Sequence, residues 1–394
     1  MVSRALVSIR HRVLAHTVSD SNPGHLEFET KAGVLENPAS IEFTDDRTPR
    51  EKKRYMVPTK NSTRFKLVTL LTIVGCTNIP TSGAPTMLNP VEITEWPVPW
   101  EHTRPRDPFV DQHNRVWFVG QRGDYIGVLD PNTGRFKQYP LEPGTGPHNL
   151  IVDDQDQVWY AGNRAAHIGK LDPTTGHIIK HAMPDPAADD PHTLVFGKLH
   201  EIWFTVQGGN FTGNLRMDTG RIHLIPLPTS HARPYGIVVD RAYTPWFTEF
   251  GTNKLGTIDR DTHSVREVEL PRKNARPRRL AITSDGAVWF VDYAEGYVGR
   301  LMPSSGKIEE WQAPGGDNAR PYGMAADENE RVWFVETGSF PNRLVGFDTR
   351  EKIVLSITPI KSGGGSVRHM VYHKPTQTLW FGTDTNTIAR VTLP

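Results

Sequence analysis

Apolar positions along this chain come in runs of four to six residues, broken by Asp, Asn, Gly and Pro. Between turn signals such as DPNTG, DPTTG and SDG no stretch carries the spacing of an amphipathic helix. Segments such as NLIVDD and QVWYAG therefore predict short antiparallel strands. The runs also recur. PRDPFVDQHNRVWF, PHNLIVDDQDQVWY, PHTLVFGKLHEIWF, PYGIVVDRAYTPWF, PRRLAITSDGAVWF and PYGMAADENERVWF start at Pro105, Pro147, Pro191, Pro234, Pro277 and Pro321, each with Trp twelve residues after Pro. Counting back twelve from Trp380 lands on Arg368, so a seventh copy carries Arg in place of Pro.

Successive starts differ by 42, 44, 43, 43, 44 and 47 residues, a period of propeller blades. Four strands per copy and seven copies predict an all-β, seven-bladed β-propeller over residues 91–394. The last copy ends at TIARVTLP, one strand short, while VEITEWPVP, from Val91 to Pro99, precedes the first copy. Pairing this N-terminal strand with the C-terminal blade would close the ring and leave no open edge. The Trp of each copy is expected between blades, because an aromatic repeated in every unit is what stacking requires.

Charge changes the picture little. Lys and Arg total 45 against 44 Asp and Glu, a net charge of +1, so there is no global field to draw nucleic acid. The N-terminus says more. KNSTRFKLVTLLTIVGC has basic residues, then an apolar run too short to span a bilayer, which is a signal-peptide pattern. Its IVGC resembles the bacterial lipobox, which implies cleavage before Cys76 and lipidation of this sole cysteine. The expectation is an exported, periplasmic or cell-surface lipoprotein that meets the membrane only through a lipid anchor at Cys76, and a monomer. Residues 1–55 read as a non-native or disordered extension, with Met56 a well-placed start, 56–76 as the signal peptide and 77–90 as a linker.

Candidate chemistry follows from blade geometry, since the first strand of each blade lines the central channel. The residue after the Pro forms one ring: Arg106, His148, His192, Tyr235, Arg278, Tyr322 and His369. The ends of the second strands give another: Gln121, Asn163, Gln207, Glu249, Asp292, Glu336 and Asp384. Titratable groups converging at such positions suggest a pocket for a polar small molecule, with Arg106, His148, His192, Tyr235, Arg278, Glu249 and Asp292 lining it. The same residues also suit packing roles, with Tyr between blades and Glu accepting backbone hydrogen bonds. No Ser-His-Asp set, P-loop or zinc pattern stands out.

RPYGI…WFTEFGTNKLGTID, TEWPVP and ARPYGM…WFVE resemble the streptogramin B lyase (virginiamycin B lyase) family of seven-bladed propellers over residues 91–394. The resemblance implies a carbon-oxygen lyase that opens a cyclic ester by elimination, with a His general base and a Mg²⁺ held by two Glu. Metal binding would stabilise enolate-like charge, and a neutral imidazole suits proton abstraction. Residue by residue, His369 occupies the base position, Asp384 the second metal position and Val367 the first. Tyr322 stands where the family has a further His, and is the expected companion of His369; Glu336 is the expected helper of Asp384 at the metal. A lactone hydrolase like the gluconolactonase propellers, and a non-catalytic, surface-tethered binding propeller, are the competing readings.

Overall fold

The computed structural model describes residues 89–394 apart from Leu199. The expected extension at 1–55, the expected signal peptide at 56–76 with Cys76, and nearly all of the expected 77–90 linker lie outside the described residues. Seven four-stranded antiparallel sheets form the molecule. Their strands span 105–140, 147–182, 191–226, 234–269, 277–312 and 321–359 for blades 1 to 6. Blade 7 combines Met370–His373, Thr378–Gly382 and Thr387–Thr392 with the N-terminal strand Ile93–Pro97.

That strand closes the ring as the sequence predicts. Ile93 pairs with Val391 and Trp96 with Ile388, antiparallel. Trp96 also stacks on Trp380 of the repeat, with ring centroids 5.6 Å apart. Behind the strand, Glu95 accepts hydrogen bonds from the Ser362 backbone N–H at 3.0 Å and the Thr387 hydroxyl at 3.0 Å, which fixes the register.

The seven repeat Trp residues are all buried. Trp117 packs with Leu150 and Tyr160 of blade 2, and Trp159 with Leu194 and Phe204 of blade 3, so they form the inter-blade core. In blades 1, 2 and 6 the indole N–H donates to an Asp six residues earlier, Asp111, Asp153 or Asp327, at 2.7 to 2.8 Å. The aromatic after each Trp explains the glycine of NKLG: a Cβ on Gly256 would lie 2.0 Å from the Phe247 ring. Only Gly lets that ring lie flat on the third strand.

One local irregularity positions the site. In blades 1 to 6 the pairing of the first and second strands slips just after the repeat Pro, as between Pro147 and Leu150 or Pro277 and Leu280. Such a bulge adds a residue and re-aims side chains. Here the two residues after the Pro both contribute to the channel. Blade 7 is the exception, since its first strand begins only at Met370, not at Arg368. Gly363, Gly364 and Gly365, all with positive φ, wrap a loop over the end of the second strand, where the Asp384 N–H donates to the Gly364 carbonyl at 2.9 Å.

Candidate functional site

The first ring folds inward. His148 and His192 lie against each other, tilted by 39°, with centroids 3.5 Å apart, and His192 lies 4.1 Å from the Tyr235 ring. The Tyr235 and Tyr322 hydroxyls hydrogen-bond across the channel, and Arg278 Nη1 donates to the Tyr322 oxygen at 2.7 Å. Arg106, His148, His192, Tyr235 and Tyr322 are each at most 5% exposed, so they fill the channel mouth more than they line an open pocket. Arg278 and His369 keep a solvent-accessible edge. The Arg278 guanidinium lies between the rings of Phe250 and Tyr293, 3.9 and 4.0 Å from their centroids, a cation–π sandwich.

Beneath this ring lies a second tier that the sequence reading missed: Asp107, Asn149, Thr193 and Arg279, each two residues after a Pro. Arg279 Nη2 donates to Asp107 Oδ2 at 3.0 Å, Nη1 to the Thr193 hydroxyl at 3.1 Å, and Nε to the Arg368 carbonyl at 2.9 Å. Asn149 adds a bond to Asp107 Oδ2 at 3.2 Å, and Arg106 Nε donates to Asp107 Oδ1 at 2.9 Å. Blades 1, 2, 3, 5 and 7 are thus tied by one buried polar plug. The only available signal was polar chemistry at the bulge position, and a strict two-residue alternation would have turned those side chains away. Below the plug an apolar cavity of about 430 Å³, lined by residues such as Ile151, Leu280 and Met324, reaches His369 and Thr193.

His369 is neutral. Burial first, and then the nearby Arg279 charge, push its pKa down to about 3, with Asp107 working the other way. Its Nδ1 is buried without a hydrogen-bond partner. His148 and His192 are lowered well below the ordinary histidine value, again by burial first. Burial raises the Tyr322 phenol, which stays protonated.

The second ring needs correction, because the expected residues do not share one register. Glu249, Asp292 and Glu336 lie three residues after their Trp, but Gln121, Asn163, Gln207 and Asp384 lie four after. Neighbouring strand residues face opposite sides. The first set therefore points to the other face of its sheet, and each member is fully buried. Asp292 accepts Arg272 Nη2 at 2.9 Å and the Arg276 N–H at 2.8 Å. Glu336 accepts the Gly315 N–H at 2.7 Å and pairs with Arg343. Glu249 accepts a hydrogen bond from Thr252 Oγ1 at 2.9 Å, and burial, then the nearby Glu267 charge, raises its pKa to about 7. These three carboxyl groups brace blades 4, 5 and 6 and do not line the channel. The channel side at the matching position is Phe250 and Tyr293.

Asp384 does face the mouth, but it is not free. Arg368 Nη1 binds its Oδ1, and Arg104 Nε lies 3.5 Å from the same oxygen. Val367, in the other metal position, is fully buried in the core between blades 6 and 7 with Leu344, Ile360 and Met370. Among the described residues no three His, Cys, Asp or Glu side chains come together to hold a metal. The residues present do not fit Mg²⁺: Asp384 is neutralised by two guanidiniums, the Val367 side chain offers no ligand, and Glu336 is held by Arg343.

A seven-bladed propeller closed by its N-terminal strand, with a His and an Asp from the last blade at the channel mouth, defines a class of propellers in which comparison can assign a family. The chain matches the virginiamycin B lyase family over residues 91–391 and belongs to it. A structure of virginiamycin B lyase from Staphylococcus aureus is similar at TM-score 0.70 and 26% identity, covering 77% of this chain and 99% of that one. A streptogramin B lyase structure gives TM-score 0.70 and 27% identity, covering 77% and 98%. The extracellular domain of a hybrid two component system from B. thetaiotaomicron, at TM-score 0.59 and 14% identity, covering 76% and 42%, shares the fold alone. No curated protein matches by sequence.

Proposed function

We propose that this propeller is a small-molecule-binding member of the virginiamycin B lyase family that works as an exported, lipid-tethered protein and does not carry out metal-assisted elimination. The observation that carries the reading is the mouth carboxylate: Asp384 is held between Arg368 and Arg104 while Val367 packs in the core. The tether rests on the sequence pattern around Cys76. The test is incubation of the purified chain with Quinupristin, the compound named with a catalytically inactive variant of the S. aureus enzyme. Elimination opens an ester without change of mass, whereas hydrolysis adds one water, so chromatography with mass spectrometry separates the outcomes. The ring is expected to stay closed with and without Mg²⁺; Mg²⁺-dependent opening would overturn the reading.

A second reading is favoured by His369. A neutral imidazole with an accessible edge and an unpaired Nδ1 is able to take the proton α to an ester carbonyl while the ester oxygen leaves. Its low proton affinity makes it a weak base, so this route needs a substrate with an unusually acidic C–H. Turnover of any cyclic ester that is lost in His369→Asn, with the melting temperature kept, would establish it.

A further inference from the structure

Arginines crowd one side of the mouth, at the seam between blades 7 and 1. Arg104 and Arg122 line a cavity of about 680 Å³ together with Glu101, His102, Asp384, Thr385 and Asn386. Arg368 stands behind Asp384, and Gln121 Oε1 is shared by Arg104 Nη1 at 3.5 Å and Arg106 Nη1 at 3.2 Å. Arg122 is exposed and makes no ion pair among the described residues. Arg106 is 4% exposed, yet its Nη2 has no hydrogen-bond partner.

This arrangement is electrostatically unfinished. Arg104 and Arg122 in the lining and Arg368 on Asp384 meet two carboxylates, Asp384 and Glu101, while the buried Arg106 nearby already pairs with Asp107, which Arg279 shares. Burial, then the like charge of Arg368, and further the charges of Arg122 and Arg106, lower the proton affinity of Arg104, and Asp384 alone opposes them. Arg104 sits at φ +51°, as Arg233 and Arg320 do at +53° and +46° before Pro234 and Pro321, so this backbone belongs to the repeat and is not special to the cavity.

We propose that the cavity at the blade 7–blade 1 seam binds a small molecule through an oxyanion, a carboxylate or a phosphate, gripped by Arg104 and Arg122 with Arg368 as a third contact. It deepens, and rests on, the reading of the propeller as a binding protein. Guanidinium forks match planar carboxylates and phosphates in bidentate geometry, and the cavity is of the size that holds metabolite-sized ligands. Asp384 serves as the stand-in anion, keeping Arg368 and Arg104 in place until the ligand arrives. The mouth would therefore recognise negative charge where a metal-bearing mouth would recognise a carbonyl oxygen.

The experiment is isothermal titration of citrate, and separately of inorganic phosphate, into the purified full chain at low ionic strength. At least one probe is expected to bind with Kd of about 1 mM or tighter. Citrate alone assigns a carboxylate, and phosphate alone assigns a phosphate. Arg122→Gln, at an exposed position that folding does not need, and Arg104→Gln are each expected to weaken binding about 10-fold, the size of one charged hydrogen bond. Asp384→Asn is expected to tighten it, because a competing anion is removed, whereas a cation site at Asp384 would be weakened by the same change. No binding of either probe at about 10 mM, binding by both arginine variants as tight as by the wild type, or weaker binding by Asp384→Asn would each overturn the proposal. Mg²⁺-dependent opening of Quinupristin would refute the binding-protein reading without touching anion binding, so the two failures are distinguishable.

Discussion

Arg279 of blade 5 crosses the channel to Asp107 of blade 1, Nη2 to Oδ2 at 3.0 Å, and neither residue is more than 3% exposed. Among the described residues no ion pair joins blades farther apart in the chain while being so fully desolvated at the channel. The ion pair works with Thr193, Asn149 and the Arg368 carbonyl, so every donor it uses is matched. A buried pair matched in this way stabilises less than its contact distance suggests, but losing one partner leaves a stranded charge.

Arg279→Met is therefore expected to cost about 3–5 kcal/mol, and Asp107→Leu a similar amount. The double variant should recover part of the loss, since no charge is then left alone. Urea unfolding of the three variants checks this through a double-mutant cycle. Losses below about 1 kcal/mol, or simple additivity, would mean the plug is solvated and does not tie the blades.

The channel histidines give an acid-sensitive fold. His148, His192 and His369 have folded pKa values below the ordinary 6.5, so the folded state binds fewer protons than the unfolded chain. Their contribution is complete above pH 6.5 and is lost as pH falls, toward about 3 for His369. At pH 5.5 each should cost roughly 1 kcal/mol. The unfolding free energy of His148→Asn, measured by urea from pH 7.5 to 5, should fall less steeply than that of the wild type, by about one proton. Parallel curves would show that His148 is not held neutral.

Glu249 runs the other way. Its pKa is raised to about 7, so the folded state holds a proton that the unfolded chain has lost between about pH 4.5 and 7. Stability from this group is full below the unfolded value and declines as pH rises through 7. Glu249→Gln keeps the neutral shape, and should be near neutral at pH 5 but stabilising by on the order of 1–3 kcal/mol at pH 8. Equal effects at both pH values would place the carboxylate in a solvated or paired state.

Restoring the acidic residue of the lyase pattern should not restore a metal site. Val367 is fully buried with Leu344, Ile360 and Met370, so Val367→Glu places an unpaired charge in the inter-blade core. A loss of several kcal/mol is expected, with no gain in Mg²⁺ affinity. Thermal melting with and without Mg²⁺ reads both. A variant that melts higher with Mg²⁺ would show that the loop at 363–368 can reopen.

How much was legible follows from which signals are periodic. The Pro-to-Trp spacing, the missing strand after TIARVTLP and its supply by VEITEWPVP fixed the blade count and closure, because every blade repeats the same apolar runs. The first ring was legible for the same reason. Asp107 and Arg279 were not, since a bulge breaks the alternation on which the reading depends, and their partnership spans blades that no local pattern relates. The second ring failed by one residue: Glu249 and Asp384 look alike as acids after a Trp, yet three and four places after it are opposite faces of a strand. Arg368 was visible as a departure from Pro, but only the fold shows its guanidinium on Asp384.

Closure by Ile93–Pro97 also sets a timetable. This strand leaves the ribosome before any blade is made, and its partner Thr387–Thr392 comes last. Until then Trp96 has no Trp380 to stack on, and one edge of the growing sheet array is open to neighbours. The entropic cost of joining ends so distant grows only slowly with length, so the delay is a matter of synthesis order more than of energy. A stop codon just before Thr387 would orphan the first strand as thoroughly as deleting it, which makes the two extremities of the propeller a single unit of inheritance.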